Sequence, residues 1–409
     1  MFRRLEAYKL YLGLEFFNAL FFSMIFVVTS FYEATVAHLS GLQLVLVGTT
    51  VELTILLFEI PTGVVADAYS RRLSIIIGFF VMGLAFIVEG LFPIFIPILI
   101  AQVLWGIGYT FTSGATQAWL SDEIGEQNAN RAFLRGNQFD LAGALIGILA
   151  AIPMGNISVN LPILAGGTML SMIAVFLSLF MPEHGFNPTR PENRNTFGHM
   201  TDIFKKGLNA VRTRPTLLTI LGVGLFYGLY SEGWDRLWVK YLVDHFTIPS
   251  LFGMNDVAFL GFLDACGMIL SIFATRFVEK RLDANHAPSI TRAMLWITLL
   301  ISIAIFTYAF SPALALSVIT IWIVSVMRNT MGPLYNAWVN QRLDSDTRAT
   351  VISMSGQVDA FGQIASGPVA GIISMISIQA AIAGASLLLA PAIPLILRAS
   401  RLHTDEEAR

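Results

Sequence analysis

The feature that most constrains this chain is a succession of apolar runs, each about 18 residues or longer, that recur along almost its whole length. A run of that length crosses a hydrocarbon core about 30 Å thick. Taking the runs between charged or Pro/Gly breaks gives twelve candidate spans, near 8–33, 42–66, 73–91, 95–121, 132–153, 161–181, 216–243, 255–279, 290–310, 312–339, 349–373 and 377–397. In lipid only helices or closed barrels satisfy the backbone, and barrel strands would be about half this length. The expectation is therefore an all-α polytopic membrane protein. Composition agrees, with 55% apolar and only 13% charged residues.

Several function classes are unsupported. A net charge of -2 offers no domain-wide basic excess to neutralise phosphates, so no nucleic-acid partner is expected. Cys266 is the only cysteine, which excludes an internal disulfide and a cysteine metal site. The sequence has neither GxxxxGK(S/T) nor HExxH, and its six histidines are scattered. Hence no ATP-driven step, no intramembrane enzyme, no metal and no cofactor are expected. The opening "MFRRLEAYKLYLGLEFFNALFF" starts positively, as a signal peptide does. Its apolar region is too long and carries Glu15 and Asn18, so it reads as a retained first span.

Lysine and arginine fall at the two ends and in alternate connections, whereas connections such as "HLSGLQ", "FPIFIP" and "PMGNISVNLP" contain none. The positive-inside rule then places both termini in the cytoplasm, as an even number of spans requires. The longest connection divides the spans six and six: a bundle over 1–181, a cytoplasmic linker over 182–215, a second bundle over 216–398 and a tail over 399–409. Within the linker, Met200, Ile203, Phe204, Leu208 and Val211 share one helical face, which predicts an amphipathic helix on the inner membrane surface. The halves resemble each other. "AWL" (118–120) and "AWV" (337–339) share one register shift with "QFDLAG" (138–143) and "QVDAFG" (357–362), so spans 4–5 and 10–11 read as copies. Parallel repeats of this kind are a plan of secondary transporters, whose substrate cavity lies between the halves near mid-membrane.

Twelve spans, a long central connection, duplicated halves and the stretch Gly63-Val-Val-Ala-Asp67-Ala-Tyr-Ser-Arg71-Arg72 together resemble the major facilitator superfamily over essentially the whole chain. Its pattern GxxxD(R/K)xGR(R/K) is met at Gly63, Asp67, Arg71 and Arg72, with Ala68 and Ser70 as departures. The resemblance implies that Gly63 lets helices approach closely, that Asp67 sits at a helix N-terminus, and that Arg71 and Arg72 meet acids of the next loop, Asp122 and Glu123. The result would be a charge latch joining the halves at the cytoplasmic side. Within the superfamily the chain is most similar to bacterial drug-proton antiporters. It departs from them where Gln102 replaces the arginine of an RxxQG pattern and where Gly143 and Gly147 lack an adjacent proline.

Ionisable residues at bilayer depth are functional candidates, because a charge there is costly unless it faces a cavity or a partner. Glu15 and Asn18 lie one turn apart on span 1, and Glu52 and Glu59 share a face of span 2. The candidates for proton coupling are Glu52, at mid-membrane, then Glu15, Glu59, Asp140 and Asp359, the last two being the repeated acids. A buried, permanently protonated carboxyl is the competing reading of Glu52, and a structural role that of the repeated acids. Arg328 cannot shed its proton and needs an acid, with Asp264, Asp359 and Glu52 all open as partners, or else it binds an anionic headgroup. Asn18, Asp264, Arg328, Asn329, Tyr227, Trp234 and Asp235 are the candidates for a substrate cavity. Span 7 also holds the i,i+4 pair Glu232 and Arg236, in an aromatic belt or an outer gate. Thr112, Ser113, Thr116 and Gln117 of span 4 read as helix-packing residues rather than substrate contacts.

These readings converge on a proton-coupled exporter of hydrophobic or amphipathic small molecules, acting as a monomer in a bacterial inner membrane with substrate, protons and lipids as its partners. A lipid or lysophospholipid transporter on the same fold is the alternative.

Overall fold

The computed structural model describes residues 4–188, 215–281, 287–341 and 345–398. These form the helices α1 (Ala7–Thr35), α2 (Gly41–Ala68), α3 (Arg71–Leu91), α4 (Phe95–Thr112), α5 (Ala115–Ile124), α6 (Glu126–Ile157), α7 (Leu161–Phe180), α8 (Pro215–His245), α9 (Asp256–Arg281), α10 (Ala287–Ala309), α11 (Leu314–Gln341), α12 (Ser345–Ile376) and α13 (Ile378–Leu389). Each expected span has its helix, with ends displaced by a few residues. Caps set some of the ends: Ser70 accepts a hydrogen bond from the Leu73 amide at 2.9 Å to open α3, and Ser377 accepts one from Ala380 at 3.1 Å to open α13.

Two expected spans are interrupted. The fourth breaks between α4 and α5 at Gly114, whose φ of 71° lies in the left-handed region that residues with a Cβ rarely adopt. The twelfth turns at Ala390 and Pro391 before residues 392–398 resume the helix. The amphipathic helix expected near Met200–Val211 lies outside the described residues.

Among the described residues, ten helical segments are long and apolar enough to cross a membrane; the two other long helices, α8 and α12, are those that carry Asp235 and Asp359. Large apolar side chains face outward, Leu134 at 72%, Phe273 at 66% and Ile376 at 88% exposure among them. In water such a surface would aggregate; against lipid it is the ordinary boundary.

The chain divides into two compact units. The first holds residues 1–39, 50–196 and 249–265; the second holds 40–49, 197–248 and 266–409. The first ten residues of α9 thus group with the first unit, and the opening residues of α2 with the second. The packing is duplicated. In the first unit α1 packs on α6, α3 on α4 and α3 on α7; in the second α8 packs on α12, α10 on α11 and α10 on α13. Ala337 stands 219 residues after Ala118, and the same displacement carries Asp140 to Asp359, Tyr11 to Tyr230 and Trp119 to Trp338. Both tryptophans are fully buried, as equivalent core anchors should be. Close helix approach is likewise repeated: a Cβ on Gly143 would meet the Phe16 carbonyl oxygen at 2.1 Å, and one on Gly362 would meet that of Leu225 at 2.6 Å.

Candidate functional site

Among the described residues, each unit contains a cavity with ionisable side chains on its wall. The cavity of the second unit, about 440 Å³, lies among α8, α11 and α12, and its wall includes Tyr227, Tyr230, Asp235, Arg328, Tyr335, Asn336, Asp359 and Gln363. The partner of Arg328, open among three acids in the sequence, is a fourth. Its guanidinium forks onto Asp235, Nη2 donating to Oδ2 at 2.9 Å and Nη1 to Oδ1. This planar two-bond match is the geometry at which arginine exceeds lysine. The guanidinium carbon also lies 5.8 Å from the centre of the Tyr230 ring, a cation–π contact. Asp359 accepts from Gln363 Nε2 at 2.9 Å and is within electrostatic range of both members of the pair. Tyrosine hydroxyls tie the wall together, Tyr227 to Thr298 Oγ1 at 2.7 Å and Tyr335 to the Ile220 carbonyl at 3.2 Å.

The cavity of the first unit, about 340 Å³, is built differently. Phe22, Phe26, Phe79, Trp105 and Tyr109 form the aromatic part of its wall, and Glu15 and Asn18 of α1 contribute to its polar part. The aromatics interlock, with ring centroids 5.6 Å apart for Phe26 and Trp105 and 6.4 Å for Trp105 and Tyr109. Thr112, Ser113, Thr116 and Gln117, read from the sequence as helix-packing residues rather than substrate contacts, lie on this wall too. The break at Gly114 ends α4 and restarts the helix as α5, and this polar set flanks it. Tyr11 is within hydrogen-bonding reach of Glu15, and Asp140 of α6 lies within electrostatic range of the same carboxyl.

The other expected site residues lie elsewhere. Glu52 is half-buried and Glu59 exposed on α2; neither is on the wall of these two cavities, though both lie within electrostatic range of the Tyr109 hydroxyl. Asp264 is half-buried on α9, away from both walls. Asn329 donates to Ser271 Oγ at 3.0 Å. Trp234 is packed against Trp238 and Tyr308 with centroids 6.3 and 5.1 Å away, so it is a core residue. Glu232 and Arg236 do pair, at 3.4 Å, with Glu232 only 2% exposed. Buried acids passed over in the sequence are Glu33 and Glu89; Gln102, at the position of the missing arginine, donates to Glu89 Oε2 at 3.0 Å. Tyr335, Asn336 and Gln363 were also passed over, and the 219-residue displacement points to two of them: it maps Thr116 and Gln117 onto Tyr335 and Asn336.

The motif between α2 and α3 forms its expected ion pair but differs from expectation in three respects. Arg71 bonds Asp122 and also donates to the Ala118 carbonyl at 2.7 Å. Both acceptors are in the same unit as Arg71, so this pair ties α3 to α5 and is not a latch joining the halves. Asp67 lies in the last turn of α2, where the helix dipole disfavours an acid, and is 3.8 Å from Arg71 instead of capping an N-terminus. Gly63 has open space where a Cβ would stand, so it mediates no close approach. Glu123 accepts from the Gly185 amide at 2.7 Å, and Glu183 accepts from Ser70 Oγ at 2.8 Å and from the Arg72 amide at 2.9 Å. The residues just after α7, expected as plain linker, are therefore held onto the motif.

Comparison with known proteins agrees with this architecture. An uncharacterized MFS-type transporter of Bacillus subtilis (strain 168), YxaM, is 24% identical over 341 residues, 81% of each chain. Among solved structures, a bacterial homolog of the human lysosomal transporter Spinster, in an inward-facing and unoccupied conformation, matches with a TM-score of 0.73 at 15% identity over 97% of this chain and 96% of its own. The nucleoside transporter NupG matches with a TM-score of 0.76 at 13% identity over 98% and 99%. At these identities the solved structures speak for the fold alone. The sequence profile of the Major Facilitator Superfamily matches residues 12–367, and with the duplicated helical units this shows that the chain belongs to that superfamily, as a secondary transporter and not an enzyme.

Proposed function

We propose that the protein is a proton-coupled exporter of hydrophobic or amphipathic small molecules, of the multidrug type, working by alternating access as a monomer in a bacterial inner membrane with both termini cytoplasmic. The observation that carries this reading is Glu15, the one carboxylate on a wall that also presents Phe22, Phe26, Phe79, Trp105 and Tyr109. Aromatic faces attract an organic cation, and one carboxylate among them completes the recognition. The same carboxylate holds either a proton or the cation, since both neutralise one charge, and that exclusivity is the minimal requirement of antiport. Asp140, close enough to interact with Glu15, is a second proton acceptor on the same side of the unit.

The test is a pH gradient across liposomes containing the purified protein, with a lipophilic cationic dye as substrate. Gradient-driven movement is expected in the wild type and should be lost in Glu15→Gln, while Glu52→Gln, outside the cavity, should still bind the dye. Full driven movement in a folded Glu15→Gln protein would overturn the assignment. The second reading, lipid or lysophospholipid transport, draws on the Arg328–Asp235 pair, whose guanidinium suits an anionic headgroup better than a lipophilic cation. It takes precedence if the dye never moves and labelled lysolipid does.

A further inference from the structure

A smaller cavity of the first unit, about 210 Å³, lies between the first turns of α1 and the last turns of α7. It is separate from the cavity that holds Glu15, with which it shares only Leu14. Leu5, Lys9, Gly13 and Phe17 form one row along α1 at i,i+4 spacing, facing Ile173, Phe176 and Leu177 of α7. From Lys9 to Phe17 the row runs about 12 Å along the helix axis and presents a cation, a gap and a ring in that order. Gly13 is the gap, since a Cβ there would meet nothing within 4 Å. Phe17 and Phe176 are both exposed, so the cavity opens outward as a groove. The Leu5 amide donates to the Phe180 carbonyl at 3.1 Å and ties the two helices together at the charged end.

Apart from Glu6 and Lys9 every side chain on this wall is apolar. These two pair at 2.9 Å with side chains 60% and 78% exposed, and an ion pair so open to solvent is weak enough for another anion to take its cation. Further cations stand at the same end: Arg4 is exposed just before α1, and Arg135 of α6 donates to the Tyr8 hydroxyl at 3.0 Å. Arg4, Lys9 and Arg135 thus surround one acid, so this end attracts anions. A free anion would use the charged end alone, and an uncharged chain the apolar part alone. An anionic phospholipid uses both, with its phosphate at Lys9 and an acyl chain crossing the Gly13 gap onto Phe17 and Phe176.

We propose that the groove between α1 and α7 is a binding site for one anionic phospholipid of the leaflet that the start of α1 enters, with Glu6 competing against the lipid phosphate for Lys9. The site holds whatever the transported substrate is, because it uses none of the residues assigned to transport. The competition fixes the sign of two opposite substitutions: removing Lys9 weakens the site and removing the charge of Glu6 strengthens it. Lipid that merely coats the apolar surface would respond to neither.

The experiment is native mass spectrometry of the delipidated full-length protein, titrated with phosphatidylglycerol or with phosphatidylcholine of the same acyl chains. The protein is expected to retain one phosphatidylglycerol about fivefold more tightly than phosphatidylcholine, as one extra charge beside a lysine requires. Lys9→Gln should lower that affinity about fivefold, Lys9→Arg should keep it and Glu6→Gln should raise it. Gly13→Leu fills the gap and should weaken both lipids, whereas Lys280→Gln, on α9, should change neither. Equal retention of the two lipids, or phosphatidylglycerol retention unmoved by Lys9→Gln or by Gly13→Leu, would overturn the proposal. A second measurement needs no variant: phosphatidylglycerol with a photoreactive diazirine in its acyl chain is cross-linked to the wild type and the labelled peptides are identified. Label concentrated on the facing stretches of α1 and α7 is expected, and label spread evenly over the apolar surface would overturn the proposal even if a variant failed to fold.

Discussion

The two cavities stand at matching positions of the repeat and carry different charged groups: a carboxylate with no cation on the first wall, and an arginine beside two aspartates on the second. Asp140 of α6 and Asp359 of α12 are the same residue displaced by 219, yet Asp140 lies near a second acid, Glu15, while Asp359 lies near Arg328. The displacement that carries Tyr109 to Arg328 also carries Phe16 to Asp235, so the two positions that hold the ion pair in the second unit hold aromatic residues in the first. Much of the frame around them is kept: Tyr11 and Tyr230 correspond, as do Thr116 and Tyr335, and Gln117 and Asn336. Even the helix interruption is handled differently, by Gly114 with its positive φ between α4 and α5 and by Pro333 inside the continuous α11 at the equivalent place. One packing scheme therefore supports two chemistries, because helix–helix contacts are set by small residues and apolar shape, whereas the charge of a cavity depends on a few side chains that the packing does not constrain.

The comparison can be broken or sharpened by substitution. The largest effect is expected for Gly143→Ala: its Cβ would strike the Phe16 carbonyl at 2.1 Å, costing about 3 kcal/mol as α1 and α6 are forced apart. Gly362→Ala meets a carbonyl at 2.6 Å and should cost roughly a third of that, about 1 kcal/mol. Thermal unfolding in detergent measures both, and equal shifts would show that the two seams are not graded as their distances indicate.

Between those two in size, Arg328→Gln leaves Asp235 and Asp359 without their shared cation. The loss should be about 1–3 kcal/mol, below that of a sealed pair because cavity water screens the charges. Glu15→Gln, by contrast, removes one of two neighbouring acids and should leave the first unit as stable or more so. Matching losses in the two variants would mean that the cavities do not differ electrostatically as described.

The smallest change is expected from Asp122→Asn. The Arg71–Asp122 pair is part-exposed and Arg71 keeps its bond to the Ala118 carbonyl, so the loss should be about 0–1 kcal/mol. A loss of several kcal/mol, seen by the same unfolding measurement, would restore to this pair the larger role of a latch.

Most of the fold was legible in the sequence. Span length is a local property, set by transfer of apolar residues into lipid, and a repeated register shift needs no coordinates to be seen. Local geometry likewise gave the Glu232–Arg236 pair, whose spacing puts both on one helix face. The candidate sites were legible only in part. Glu15 and Asn18 do share a cavity wall, as do Tyr227, Asp235 and Arg328, while Trp234, Asp264 and Asn329 lie on neither wall. All of these are polar or aromatic residues in apolar helices, and residue type does not say which way a helix is rotated.

Twelve apolar spans, two similar halves and a handful of costly intramembrane charges follow from the order of the residues alone, because hydrophobic transfer and helical period act over one segment at a time. Tertiary structure alone decided that Arg328 pairs with Asp235 across two helices, that Thr112 to Gln117 line a cavity, that Gly63 faces open space and that Arg71 binds within its own unit. Each of these depends on which faces of several helices meet, and that is set by the summed packing of residues far apart in the chain.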